Sequence, residues 1–179
     1  LNENQKLEFK ATFSVNDETG DELKCLKDAT IKEIAAFMNT LGGIVLIGVS
    51  DDKRIIGIER DLKIQKLNPK RKDTREDKFL RSIGDMIDER LKASIAIKDY
   101  ELSLVPVEDS GIKKTVCVIK VKKSKTPIFM DMDVSFEACG ENRTKKATKQ
   151  IFYVRTSASA TIEIPPRELQ SFLATKNIR

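Results

Sequence analysis

The stretch Asn39-Thr40-Leu41-Gly42-Gly43-Ile44-Val45-Leu46-Ile47-Gly48-Val49-Ser50-Asp51-Asp52 decides the fold. It closes a helix, turns on two glycines and enters a continuous apolar run rich in β-branched residues. Such a run predicts a strand covered on both faces, and therefore a central one. Gly42 and Gly43 supply a left-handed helix cap and a tight turn. They open a strand instead of a helix, and no Gly-Lys-Ser/Thr follows them, so no triphosphate cradle and no nucleotide cofactor is expected.

Upstream, residues 6–13 alternate with period two, placing Leu7, Phe9, Ala11 and Phe13 on one face and Lys6, Glu8, Lys10 and Thr12 on the other, as a half-buried strand does. Residues 23–38 carry Leu26, Ala29, Ile34, Phe37 and Met38 mostly at helical spacing, with Asp28 or Thr30 available as the cap. Downstream, Asp51-Asp52-Lys53-Arg54 predicts a hairpin turn into residues 55–58. An amphipathic helix follows over 75–93, with Phe79, Ile83, Met86, Ile87 and Leu91 on one stripe. Strands at 100–107 and 115–122 flank the turn Asp109-Ser110-Gly111. The polar segment 131–150 reads as a mobile loop insertion. A strand at 151–155 and a short helix after Pro165-Pro166 complete the chain. No repeat or linker interrupts this order. The expectation is one α+β domain over 1–179, with a mixed, mainly antiparallel sheet flanked by two or three helices.

The 179 residues include 33 Lys and Arg against 28 Asp and Glu, a net charge of +5, and 40% are hydrophobic, which suits a folded core and excludes disorder. Histidine is absent, which removes imidazole general bases, Ser-His and Cys-His nucleophiles and His-liganded zinc. Any catalysis must use carboxylates, lysines, hydroxyls or a metal held by oxygen. Cys25, Cys117 and Cys139 show no paired spacing and read as free thiols of a cytoplasmic protein. No apolar run is long enough to span a membrane. Leu1 in place of methionine is expected of a piece of a longer protein.

Basic residues gather in two groups. One spans 63–81 and includes Lys70, Arg71, Lys72 and Arg75; the other joins Lys122 and Lys123 to Arg143, Lys145 and Lys146. Clustering of this kind is the electrostatic footprint of a phosphate backbone, although charge runs also form ordinary solvated faces. Arg155, with Thr156 and Ser157 beside it, has two readings: a phosphate or sugar contact, or a cap or salt bridge beneath the C-terminal helix. Aromatics are few and Trp is absent, so shape and phosphate recognition are expected over base stacking.

Glu8-Phe9-Lys10, the Asn-Thr-x-Gly-Gly turn at 39–43, the strand ending in Gly48-Val49-Ser50-Asp51 and the later Phe152-Tyr153-Val154-Arg155-Thr156-Ser157 together resemble the Schlafen-type AlbA domain family. The resemblance covers nearly the whole chain and implies a nucleic-acid partner. In some members it implies a metal-dependent endoribonuclease acting on tRNA or other structured RNA. It carries a triad of acidic residues over to Glu3, Glu8 and Asp51 as holders of Mg²⁺ or Mn²⁺, and Lys10 would assist. The chain departs from the pattern at Asn4, where a serine is expected. It also implies a clamp of two lobes, which a single lobe would build as a homodimer or with a missing partner domain.

Three carboxylates suit a hard cation that activates water, and this chemistry needs no histidine. Residues five apart, however, face opposite sides of a strand, so Glu3 and Glu8 converge only if the chain bends between them. Glu8 and Lys10 also read as the solvated face of an edge strand, and Asp51-Asp52 as plain turn residues. The Glu-x-Lys pair of restriction-type nucleases is a weaker analogy, because Asp51 follows this strand instead of preceding it. Two functions therefore stand: the metal-dependent endoribonuclease, and a non-catalytic DNA- or RNA-binding module of a larger transcriptional regulator or defence protein.

Overall fold

Along the chain come β1 (Leu7–Lys10), α1 (Lys24–Asn39), β2 (Gly43–Ile47), α2 (Glu59–Lys63), α3 (Arg75–Leu91), β3 (Tyr100–Asp109), β4 (Ile112–Val121), β5 (Met130–Glu137), β6 (Thr144–Ile151), β7 (Tyr153–Arg155), β8 (Thr161–Glu163) and α4 (Pro166–Lys176). This computed structural model describes residues 3–16, 18–66, 72–91, 99–137 and 144–176. The main sheet has the order β1-β2-β4-β3, parallel between β1 and β2 and antiparallel elsewhere. Two antiparallel pairs, β5-β6 and β7-β8, stand beside it. The result is the mixed, mainly antiparallel α+β domain that the sequence predicts.

β2 is central, as its apolar run requires. Val45 and Ile47 point into the main core against Ile31, Ile34, Phe37 and Met38 of α1 and Phe79, Ile83 and Ile87 of α3, all fully buried. Each such side chain contributes about 1.5–3 kcal/mol by leaving water. Among the described residues no helix covers the other face of the sheet. Phe9, Val49 and Val116 form a small second cluster there with Leu7 and Leu46 packed against it, and Ile44 remains 36% exposed. Coverage of β2 on both faces, expected from the unbroken apolar run, is therefore corrected to one face.

The glycine turn is structural, and its strictness has a steric cause. Gly42 has φ +72°, and a Cβ there would lie 2.6 Å from the carbonyl oxygen of Val121; a Cβ on Gly43 would lie 2.6 Å from the ring of Phe37. Asn39, fully buried, donates from Nδ2 to the carbonyls of Ile128 (2.7 Å) and Tyr153 (2.9 Å) and accepts from the amide of Ile128 (2.8 Å). One side chain thus ties α1 to two later segments, meeting buried backbone groups that water cannot reach.

Several local expectations change. The helix begins at Lys24 with Leu23 before it and no side-chain cap; Asp28 and Thr30 lie within it, Asp28 paired with Arg90 and Thr30 bonded to the Leu26 carbonyl. The strand at 6–13 is shorter, so Phe9 joins the outer cluster while Phe13 turns into the main core. Residues 55–58 form no named strand; Ile55 bridges to Val49, and the amides of Ile56 and Gly57 bond the Gly48 carbonyl.

The segment 131–150 is no loop insertion where it is described. It contributes β5 and β6, paired from Met130–Ile151 to Glu137–Thr144, while 138–143 lie outside the described residues. Met130, Met132 and Val134 alternate with Asp131, Asp133 and Ser135, a period-two pattern that the high polarity conceals. Arg90, buried on α3, pins this hairpin through Asp133 and the Asp131 carbonyl. Cys25 is exposed and Cys117 buried, both free; Cys139 lies outside the described residues.

Candidate functional site

β1 is the edge strand of the main sheet, and an edge strand offers unpaired backbone groups that must be met. The chain meets them with its own N-terminal turn. Asn4 and Leu7 exchange both backbone hydrogen bonds, at 3.1 and 3.2 Å, which folds the chain back at Gln5-Lys6. Glu3 is thereby returned to the strand, where its Oε1 accepts from the amide of Phe9 at 2.8 Å. The bend that a five-residue spacing demands is present, and the Glu3 carboxylate reaches the residue next to Glu8.

Glu8 and Lys10 point to the same side of β1 as Val45 and Ile47, toward α1, and Glu8 is only 7% exposed. The expected solvated face is therefore an ionic cluster under cover. Arg155 lies at its centre, 4% exposed, on β7. Its Nη2 donates to Glu8 Oε2 at 2.5 Å and its Nη1 to Glu33 Oε2 at 2.7 Å. Nη2 also approaches the carbonyls of Asn4 and Leu7 at 3.3 Å, and the guanidinium lies 5.1 Å from the centroid of the Phe37 ring. Glu8 Oε1 takes the ammonium of Lys10, and Thr161 donates its hydroxyl to Glu33. A planar fork with five donors suits this task, since it bridges two carboxylates and two carbonyls from one position.

Arg155 does form a salt bridge, but with Glu8 of β1 and Glu33 of α1 and not beneath the C-terminal helix, and its side chain is buried. Ser157 stands nearby in the exposed turn between β7 and β8. Glu33 escaped the sequence reading, yet it left a signal. It is a charge inside the apolar face formed by Ile31, Ile34 and Phe37, just as Arg155 ends the apolar run Phe152-Tyr153-Val154. Two unmatched charges on buried faces call for each other.

Asp51 is exposed in the turn after β2 and has no partner among the described residues. Its neighbour Asp52 organises that turn, accepting from Ser50 and from Arg54 Nε at 2.5 Å. The Ser50 hydroxyl first, and then Arg54, hold the Asp52 carboxyl below its usual range.

These positions bear directly on a divalent cation. Both oxygens of Glu8 are taken by cations, one oxygen of Glu3 is on an amide, and Asp51 lies in the exposed turn after β2. Among the described residues no group of three or more Cys, Asp and Glu side chains gathers as a metal site. As arranged, Glu3, Glu8 and Asp51 do not fit one shared ion.

The basic candidates lie on separate elements. Lys72 and Arg75 are exposed at the start of α3, where the Thr74 hydroxyl caps the Asp77 amide at 3.1 Å. Lys122, 3.5 Å from Glu101, and Lys123 follow β4, and Lys146 is exposed on β6. Lys70, Arg71, Arg143 and the Lys145 side chain lie outside the described residues.

Residues 3–162 match the family described as Schlafen, AlbA_2. The chain belongs to this family. The match begins at the N-terminal turn and ends on β8, so it takes in every member of the Arg155 cluster. No curated protein matches the chain. Among solved structures, the DIP2311 protein from Corynebacterium diphtheriae is similar in fold, with a TM-score of 0.52 and 17% identity, over 96% of this chain and 28% of that one. The Schlafen AlbA_2 chain thus spans less than a third of that neighbour. Membership in the family points to a role connected with nucleic acid. Among the described residues no helix is long and apolar enough to cross a membrane.

Proposed function

We propose that this Schlafen AlbA_2 domain is a nucleic-acid-binding module of a larger protein, with tRNA or other structured RNA as the first partner and DNA as the second. The family match over residues 3–162 carries the reading. Exposed cations at Lys72, Arg75, Lys123 and Lys146 support it, because phosphate contacts supply most of such affinity. The carboxylates at the family's acidic positions serve this module from within. Glu8 fixes Arg155, Arg155 holds the N-terminal turn, and Glu3 seals the sheet edge. Binding of tRNA, single-stranded RNA and duplex DNA measured across a salt series tests the reading. A steep fall of affinity with salt is expected, and no binding to any of the three at low salt would overturn it.

One observation favours a second reading, a Mg²⁺- or Mn²⁺-dependent endoribonuclease: the N-terminal turn brings the Glu3 carboxylate to the residue beside Glu8. Cleavage of tRNA that requires either ion and is lost in Glu8→Ala and Asp51→Ala, with binding retained, would establish it. Intact tRNA after incubation with both ions would remove it.

A further inference from the structure

A polar cleft of about 500 Å³ opens between the N-terminal turn, the end of α1 and α4, lined by Gln5, Asn39, Thr40, Leu41, Lys123, Phe172 and Thr175. We infer that it holds one unstacked nucleotide, its base against Phe172 and Leu41 and its phosphate on Lys123; as a subsite for RNA, this rests on the binding function proposed above.

The lining contains no carboxylate and one cation. Lys123 is exposed and has no partner among the described residues, so an anionic ligand meets no repulsion and displaces no ion pair. Phe172 is half-buried and held in place. It stacks edge-on against Phe152 at 5.8 Å between ring centres, and Phe152 meets Phe129 at 5.4 Å. A fixed aromatic ring beside the half-exposed Leu41 makes an apolar platform of the kind on which a base stacks.

The polar groups divide by role. The hydroxyls of Thr40 and Thr175 donate to the carbonyls of Ala36 (2.6 Å) and Phe172 (2.7 Å), which leaves their oxygens as acceptors for a base amino group or a ribose hydroxyl. Gln5, with no side-chain partner among the described residues, adds one further acceptor and two donors. A platform, a cation, acceptors and an amide within one cleft supply a partner for each part of a nucleotide: base face, phosphate, and base-edge or ribose groups. Asn39, fully committed to Ile128 and Tyr153, forms the floor. The segment Asn39-Thr40-Leu41-Gly42-Gly43 thus presents to the cleft the Thr40 oxygen as an acceptor and the half-exposed Leu41 side chain.

The experiment uses the wild-type chain and the variants Lys123→Ala, Phe172→Leu and Gln5→Ala, each titrated with AMP, with a looped RNA and with a fully paired RNA duplex. Amide resonance shifts on adding AMP are expected at Thr40, Leu41, Lys123 and Phe172. Lys123→Ala and Phe172→Leu are each expected to weaken AMP and looped RNA by about tenfold while the duplex is little changed. Gln5→Ala, at a turn residue whose side chain has no partner among the described residues, guards against a folding defect in Phe172→Leu. Unchanged affinity in all three variants, or AMP shifts confined to other residues, overturns the site. A protein that binds looped RNA while all three variants bind it equally loses the site and keeps the nucleic-acid reading. One that binds AMP in the cleft yet no RNA or DNA keeps the site, for a free nucleotide, and loses that reading.

Discussion

Arg155 and Glu8 are 147 residues apart in the chain, and their Nη2 and Oε2 atoms lie 2.5 Å apart in the fold. With Glu33 on the other nitrogen, this pair joins the first strand, the first helix and the last sheet of the domain. A buried pair is strong only in company, because removing one partner leaves an uncompensated charge away from water.

Arg155→Ala should therefore destabilise the domain by about 3–5 kcal/mol, since Glu8 and Glu33 would both be left buried without it. The triple variant Arg155→Met, Glu8→Gln, Glu33→Gln should recover most of that loss. Urea denaturation of the three proteins checks the pair of values. A loss under 1 kcal/mol on the single variant would mean that Arg155 behaves as a surface residue.

Glu8→Gln gives a sign test on the metal-free protein. With Lys10 and Arg155 on its two oxygens, Glu8 stabilises the fold, and its neutral amide should cost about 1.5–3 kcal/mol. In a cage of repelling carboxylates the same substitution would raise stability before any ion is added. Melting temperatures in a chelating buffer distinguish the two directions.

Two glycines separate backbone strain from crowding. Gly20 and Gly42 both have positive φ, +75° and +72°, but a Cβ on Gly20 meets nothing within 4 Å whereas one on Gly42 strikes the Val121 carbonyl. Gly20→Ala should cost about 1 kcal/mol of left-handed strain. Gly42→Ala should cost clearly more and should loosen the junction between α1 and β4. Hydrogen exchange at the amide of Gly42, bonded to the Phe37 carbonyl at 2.8 Å, provides a local readout of that loosening.

The acid limb of the stability curve should carry the mark of Asp133. The hydrogen bond from Arg90 first, and then that from Lys24, hold its carboxyl well below the usual carboxylate range. A carboxylate with a lowered folded pKa contributes stability that is fully present above its unfolded value, about 3.9, and is lost as pH falls toward the lowered one. Asp133→Asn should thus lower stability at neutral pH and flatten its decline below about pH 4. Thermal melts from pH 7 to pH 2.5 compare the two slopes, and parallel curves would show that Asp133 titrates alike in the folded and unfolded chain.

Much of the architecture is legible in order and type. The glycine turn, the central strand, the hairpin of β3 and β4, the helix starting at Arg75 and the final helix after Pro165 all follow from local patterns whose cause lies within a few residues. The β5–β6 hairpin escaped notice because its alternation is carried by Met130, Met132 and Val134 amid aspartates and lysines, and hydropathy alone scores such a segment as loop. The acidic positions Glu3, Glu8 and Asp51 were legible as residues but not as an arrangement. Glu3 meets the Phe9 amide through a local turn, Glu8 meets Arg155 on β7 far along the chain, and Asp51 has no partner among the described residues.

What the sequence by itself determined is local and mostly negative: no histidine chemistry, no paired cysteine spacing, and an apolar strand after two glycines. Tertiary structure alone decided what the charges do. Whether Glu8 faces solvent, a metal or Arg155 depends on which segment crosses above β1, and that is fixed by packing between residues more than a hundred positions apart. The period of a strand says which side chains share a face, but only the completed fold says what that face meets.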